Sequence, residues 1–238
     1  MSMENHINPD MKNPGIVECG DIQASVDYFM RLDLPRQAKI MDIGTRFGSF
    51  LNRLFTLGYR DLYGIDVDSS SILQGKEYYP ELAQNLSVYD GTIIPFNDCT
   101  FDAICMFDVI EHIPGVQSYL KEVYRIIRPG GVLVFQTPNK FINVPWEIVH
   151  QKSFTHWRIY HCSLQTLGSV KRILSSAGFH DIKVEKFGFA TEFKKSQVRQ
   201  KLGLPGVILL SLVSRFPLPL FPNFWGYCRK PINTHKDQ

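Results

Sequence analysis

Residues 39–51, KIMDIGTRFGSFL, followed by LYGIDVD at 62–68, constrain the fold more than any other stretch of this chain. A short apolar run closes on Asp42, breaks at Gly44 and Gly48, and resumes with helical spacing at Phe47, Phe50, Leu51 and Leu54. A second apolar run closes on another acid, Asp66. Strand, glycine turn, helix and strand in that order make one right-handed βαβ unit, with a nucleotide-sized crevice at its carboxyl edge. Small residues admit a ligand close to the backbone, and a carboxylate closing the second strand can accept hydrogen bonds from a ribose diol. The unit points to a nucleoside-containing cofactor.

The rest of the chain repeats the alternation. Helical spacing over 21–33 stops at Leu34-Pro35, and Asp68-Ser69 caps a helix that runs to about Tyr79 before Pro80. LSVYDG at 86–91 reads as a third strand ending at Asp90, and FDAICMFD at 101–108 as a fully buried parallel strand. An amphipathic helix over 115–127 meets Arg128-Pro129-Gly130-Gly131, which predicts a turn into the strand VLVFQT. A helix over 163–177 with Gly178 at its end, then strands at 182–189 and 223–230, complete the pattern. The fold class is α/β, a doubly wound sheet with helices on both faces. Residues 1–20 are polar and read as a mobile N-terminal arm. Residues 21–238 read as a single domain with insertions at about 138–162 and 190–222, where substrate specificity is expected.

Composition narrows the function classes. A net charge of +3 over 238 residues does not suggest a nucleic-acid binder. The five cysteines show no C-x-x-C spacing, and the three in expected strands or their edges read as buried reduced thiols. No basic run followed by an apolar one opens the chain, so a cytoplasmic location is expected. The longest apolar stretch, LPGVILLSLV at 204–213, is about half of what spans a bilayer and lies between Lys201 and Arg215.

The turn reads Gly44-Thr45-Arg46-Phe47-Gly48-Ser49, so the G-x-G-x-x-G of a dinucleotide site is absent, as is the phosphate-cradling G-x-x-x-x-G-K-[ST]. Instead, three successive strands close on Asp42, Asp66 and Asp90. Such a row repels a pyrophosphate and suits a cofactor carrying a sulfonium and an ammonium, which favours S-adenosylmethionine.

The motifs DIGTRFGSF, YGIDVD, VYDG, FDAICMFDVIEHI and IIRPGGVLVFQTPN, in that order, resemble those of the Rossmann-like, class I S-adenosylmethionine-dependent methyltransferases. The branch is the one that holds the ubiquinone-biosynthesis O-methyltransferases and many sugar and lipid modifiers. The resemblance covers about residues 22–190 and the last strand. It implies a seven-stranded, mostly parallel sheet with its last strand antiparallel. It also implies Gly44, Thr45 and Gly48 beneath the methionine part of the cofactor, with Asp42 near its ammonium. Asp66 would take the ribose hydroxyls and Val67 would lie against the adenine. Asp90 would accept from the adenine amine beside Gly91, with Phe107 and Asp108 lining the far side. Arg46 departs from the family, which usually has glycine there; if the position needs a positive φ, arginine costs about 1 kcal/mol.

Asp108, Glu111 and His112 follow the fourth strand, where the transferable methyl is expected. A helical turn starting there would gather them on one face. His112 is a candidate general base, an imidazole titrating ordinarily near pH 6.5. The three are alternatively metal ligands, as in some RNA 2′-O-methyltransferases, or they cap the next helix. His150, His156 and His161, with Trp146, Trp157 and Tyr160, suggest a lid over the acceptor or a pinned surface loop. Lys194, Lys195, Arg199, Lys201 and Arg215 flank the apolar 204–213 run and suit a membrane surface or a lipid-tailed substrate, the alternative being a helix closing the core. The reading is methyl transfer to oxygen on a small molecule, a saccharide or a polyprenyl-type lipid. A metal-dependent RNA 2′-O-methyltransferase and a non-catalytic binding protein are the rivals.

Overall fold

The computed structural model describes residues 21–153, 155, 158, 161–188 and 192–232. The expected arm over 1–20 and His156, Trp157 and Tyr160 of the expected lid lie outside the described residues, as do the side chains of Trp146 and His150.

Seven strands form one sheet: β1 (Ile40–Ile43), β2 (Leu62–Asp66), β3 (Leu86–Val88), β4 (Phe101–Phe107), β5 (Ile127–Pro138), β6 (His180–Glu185) and β7 (Asn223–Arg229). Their order is β3-β2-β1-β4-β5-β7-β6. All neighbours from β3 through β5 pair parallel, and β7 alone runs antiparallel, to both β5 and β6. The chain winds outward from β1 to β3 and then returns to place β4 on β1's other side. The gap above β1 and β4 is therefore a topological switch point, where open α/β sheets bind ligands.

Among the described residues the longer helices are α1 (Ile22–Met30), α2 (Ser49–Thr56), α3 (Ser69–Tyr78), α4 (Val116–Ile126), α5 (Lys140–Gln151), α6 (Leu167–Ser176) and α7 (Glu192–Val213). Caps start several of them: Asp21 accepts from the Ala24 amide, Asp68 from the Ser70 amide, and Thr166 with Ser169 forms a capping box. The period-two alternation of the strands then divides the core. Met41, Ile104, Leu133 and Phe135 pack on one face with Leu120, Val123, Val170 and Leu174. Ile40, Leu62, Ala103 and Val134 pack on the other with Phe29, Leu51 and Leu54.

The reading of residues 128–131 changes. Arg128-Pro129-Gly130-Gly131 is not a turn ahead of the strand but part of it, because Ile127 already pairs with Phe101. A register shift between Phe101 and Ala103 and a left-handed Gly130 (φ +80°) absorb the extra residues. Both insertions contain helix. α7 bends at Gly203 (φ 63°, ψ −159°), two residues before Pro205, whose ring disfavours an unbroken helix.

Candidate active site

The site is built from the turn after β1 outward. The amides of Gly44 and Thr45 both donate to the Ile65 carbonyl, at 2.8 and 3.1 Å, which bends the chain off the sheet at once. Gly44 has φ +73°, and a Cβ there would lie 2.5 Å from Val109 Cγ2 in the loop after β4. Gly75 lets α3 close against the same turn, since a Cβ on it would lie 2.3 Å from the Phe47 carbonyl oxygen. Thr45 and Phe47 are buried, so the turn is held from below while Gly44 faces solvent.

Arg46 occupies the left-handed region, with φ 53°. Its amide donates to Asp66 Oδ2 at 2.8 Å, and its guanidinium lies over the Phe47 ring, 4.6 Å from the centroid. The turn thus uses position 46 for its backbone. The Asp68 amide donates to Asp66 Oδ1 at 2.9 Å, so both carboxylate oxygens of Asp66 are fixed by main chain.

The three acids are not level. Asp42 pairs with Gly64 and therefore sits two residues deeper in the ladder than Asp66, which closes β2. It is buried, and that burial pushes its carboxyl up to about 7, with the Thr45 side chain opposing and Asp66 reinforcing the shift. Asp90 lies two residues beyond β3 and is exposed. It accepts from the amides of Thr92 (2.8 Å) and Ile93 (3.1 Å), bonds that hold its carboxyl below the usual range. Gly91, at φ +80°, lies against Val67, whose Cγ1 would be 3.1 Å from a Cβ there, and Val67 is largely exposed.

Across the switch point, Phe107 packs edge-on against Phe50 at 5.1 Å and against Trp225 at 5.8 Å. Asp108 is left-handed (φ 53°), and its amide donates to both the main-chain and the side-chain oxygen of Gln136. The expected helical turn is a short 3₁₀ turn, Ile110–His112, that begins after Asp108, so the three candidates do not share one face. Glu111 turns inward, 1% exposed, and accepts from the Thr137 hydroxyl at 2.9 Å. Burial first, and the Asp108 carboxylate second, push its carboxyl up to about 8. His112 stays half exposed, its Nε2 4.0 Å from Glu111 Oε1 and its ring 5.0 Å from that of His161. Burial and then His112 push His161 down. Among the described residues, no three His, Cys, Asp or Glu side chains are placed to share a metal ion.

Thr137, Gln136 and His161 complete this side; sequence offered His161 only as part of a lid or pinned loop, and Thr137 and Gln136 not at all. Thr137 and Gln136 arrive through the pairing of Phe107 with Gln136 across β4 and β5. His161 arrives because the Ser163 amide donates to the Glu111 carbonyl at 2.9 Å. Only the histidine count of the insertion hinted at it.

A family model for a methyltransferase domain matches residues 20–184. The chain belongs to the methyltransferase-domain family. Among curated relatives, the mitochondrial ubiquinone biosynthesis O-methyltransferase of Dictyostelium discoideum is 29% identical over 122 residues, covering 46% of this chain and 38% of that protein. A phosphoethanolamine N-methyltransferase of Triticum aestivum is 25% identical over 175 residues, covering 72% of this chain and 34% of that protein. The chain thus spans less than half of either relative. Among solved structures, an S-adenosylmethionine-dependent methyltransferase from Mesorhizobium loti superimposes with a TM-score of 0.66 at 16% identity, covering 88% of this chain and all of that one. The fold is that of the Rossmann-like methyltransferases: seven strands, mostly parallel, with one antiparallel strand near the end.

Proposed function

We propose that this protein transfers the methyl group of S-adenosylmethionine to a hydroxyl oxygen of a small-molecule, saccharide or polyprenyl-type lipid acceptor. The observation that carries the reading is the fixed carboxylate of Asp66 beside a glycine turn, in a chain of the methyltransferase-domain family. A left-handed, solvent-facing Gly44, an acid held by two amides and a deeper buried acid suit a cofactor that carries positive charge and a ribose diol.

In this reading Asp66 takes the ribose hydroxyls, and Gly44, Thr45 and Gly48 floor the methionine portion. Asp42 faces the ammonium, and a neighbouring cation draws its raised carboxyl back to the ionised form. Val67 and Gly91 flank the adenine, Asp90 meets its amine, and Phe107 with Asp108 closes the far side. Bound S-adenosylmethionine supplies a methyl already activated by its sulfonium. The protein's main task is therefore alignment, which is worth roughly 7–11 kcal/mol for well-placed reactants. His112 takes the acceptor's hydroxyl proton as the carbon–oxygen bond forms. The Glu111 carboxyl, pushed up by burial and by Asp108, lies 4.0 Å from the His112 imidazole.

The test uses labelled cofactor with fractionated cell extract, lipid fractions included. Label in a methyl ether is the expected product, and label in a methylamine would move the reaction to nitrogen. Calorimetry with S-adenosylmethionine and its demethylated product runs beside it. No heat from either on folded protein sinks the reading.

A further inference from the structure

The segment between β6 and β7 serves neither half of the site, yet it opens on the same edge of the sheet. β5 and β6 run in one direction and β7 in the other, with Pro138 paired to Asn223 and Glu185 to Trp225. Both ends of the segment therefore emerge at the carboxyl edge, which also carries Asp66 and Asp108. Its far end is pinned there. Asn139 Nδ2 donates to the carbonyls of Pro219 (2.9 Å) and Phe221 (2.8 Å), and Lys186 Nζ donates to the Phe216 carbonyl at 3.0 Å.

On this anchored segment the apolar residues face outward. Leu202, Leu204, Ile208, Leu209, Leu212 and Phe216 are 43–64% exposed. Leu204, Ile208 and Leu212 follow at steps of four within α7, which aligns them along one side of the helix, and Phe216 lies three residues beyond its end. A surface helix ordinarily turns its leucines inward, and an outward stripe of this length marks a contact surface. Charge says what it contacts. Residues 192–216 hold five basic residues and one acid, a net of +4, while the whole chain nets +3, so the remainder nets −1. Arg199 and Arg215, near the two ends of the stripe, are both exposed. A second copy would bring +4 against +4 across a two-fold axis, which disfavours self-association through this face.

We propose that this face is a docking surface for an anionic lipid bilayer. The leucine stripe of α7 lies at the boundary between headgroups and acyl chains, and the basic residues meet the anionic headgroups. The attachment is peripheral, since no helix among the described residues is long and apolar enough to cross a membrane. It would set the carboxyl edge of the sheet toward the lipid. The docking claim does not depend on methyl transfer and fails separately from it.

The test is co-sedimentation of the full chain with vesicles of phosphatidylcholine alone or with about one-third phosphatidylglycerol. Partitioning onto the anionic vesicles is expected to be at least about tenfold stronger and to fall steeply in roughly 0.5 M salt. The double variant Ile208→Asp/Leu212→Asp should lose about tenfold or more, while its cofactor heat in solution stays unchanged. Should that variant misfold, Arg199→Glu/Arg215→Glu replaces it under the same criteria. Equal partitioning of wild type and variant, or no sedimentation with anionic vesicles, overturns the proposal. So does a wild-type dimer that the variant converts to monomer without vesicle binding, which would assign the face to a second copy.

Discussion

The two halves of the carboxyl edge are assembled by different means. From β1 to β3, geometry is set by main chain: two amides fix Asp66, two fix Asp90, and left-handed Gly44 and Gly48 shape the turn after β1. From β4 onward, side chains brought together from distant segments do the work. Thr137 reaches Glu111, the His161 ring packs tilted against His112, and the helix beyond carries leucines into water. Backbone-held groups tolerate changes of neighbouring side chain, and a half of this kind suits one invariant ligand. A half held by side chains can be reshaped by a few substitutions, which suits an acceptor that differs between relatives acting on oxygen and on nitrogen.

The sharpest way to break this division is His112→Ala. If the imidazole accepts the proton, turnover falls by about two to four powers of ten. The cofactor dissociation constant stays within about twofold, because His112 belongs to the other half. A loss shared equally between rate constant and cofactor affinity would merge the halves. Asp66→Ala should do the opposite and strike affinity first. Removing hydrogen bonds to a charged acceptor costs about 1.5–3 kcal/mol, or roughly 10- to 150-fold in the calorimetric constant. Asp66→Asn retains one acceptor oxygen and should fall between.

Glu111 sharpens the comparison through pH. Its carboxyl is pushed from 4.5 up to about 8, first by burial and then by the Asp108 carboxylate. The folded state holds this proton more tightly than the unfolded chain does. The stability gained is therefore fully present below about pH 4.5 and is lost as pH rises through about 8. Glu111→Gln keeps an acceptor for the Thr137 hydroxyl and cannot ionise. Wild-type Tm should fall relative to the variant between about pH 5 and 9, by about 2–4 °C for each kcal/mol released. Parallel melting curves across that range would show that Glu111 is not held protonated.

What was legible in the sequence follows the same division. The turn at Gly44, the acids near three strand ends and the caps Asp21 and Asp68 are all encoded within a few residues of where they act. The left-handed backbone at Arg46 was raised only as a condition, from its departure from the glycine that the resemblance implies. Strand β5 was read too short because its first residues are drawn in by Phe101, some 26 positions away, and a Pro-Gly-Gly run signals a turn in isolation. A helix over α7 stood only as an alternative reading of its segment, because Gly203 and Pro205 interrupt its periodicity. Asp108, Glu111 and His112 were placed on one face because their spacing suits an α-helix. The Gln136 oxygens instead hold the Asp108 amide, which delays the turn.

Arg46→Gly makes the smallest change and tests the backbone rule most directly. The left-handed φ of 53° costs an arginine about 1 kcal/mol, which glycine recovers. Glycine forfeits the guanidinium stack on Phe47, about 0.5–1 kcal/mol at an exposed site, and adds freedom to the unfolded chain by a similar amount. These terms nearly cancel, so Tm should move by no more than about 3 °C. The amide that donates to Asp66 survives the substitution. Cofactor affinity should therefore stay within about threefold, equivalent to roughly 0.7 kcal/mol. Arg46→Pro removes that donor and also cannot adopt φ 53°, so it should rebuild the turn and weaken binding about tenfold or more. A tenfold gain for the glycine variant would mean that the guanidinium repels the cofactor. Position 46 would then act through its side chain, and the contrast between the halves would fail at the residue where it is most exposed.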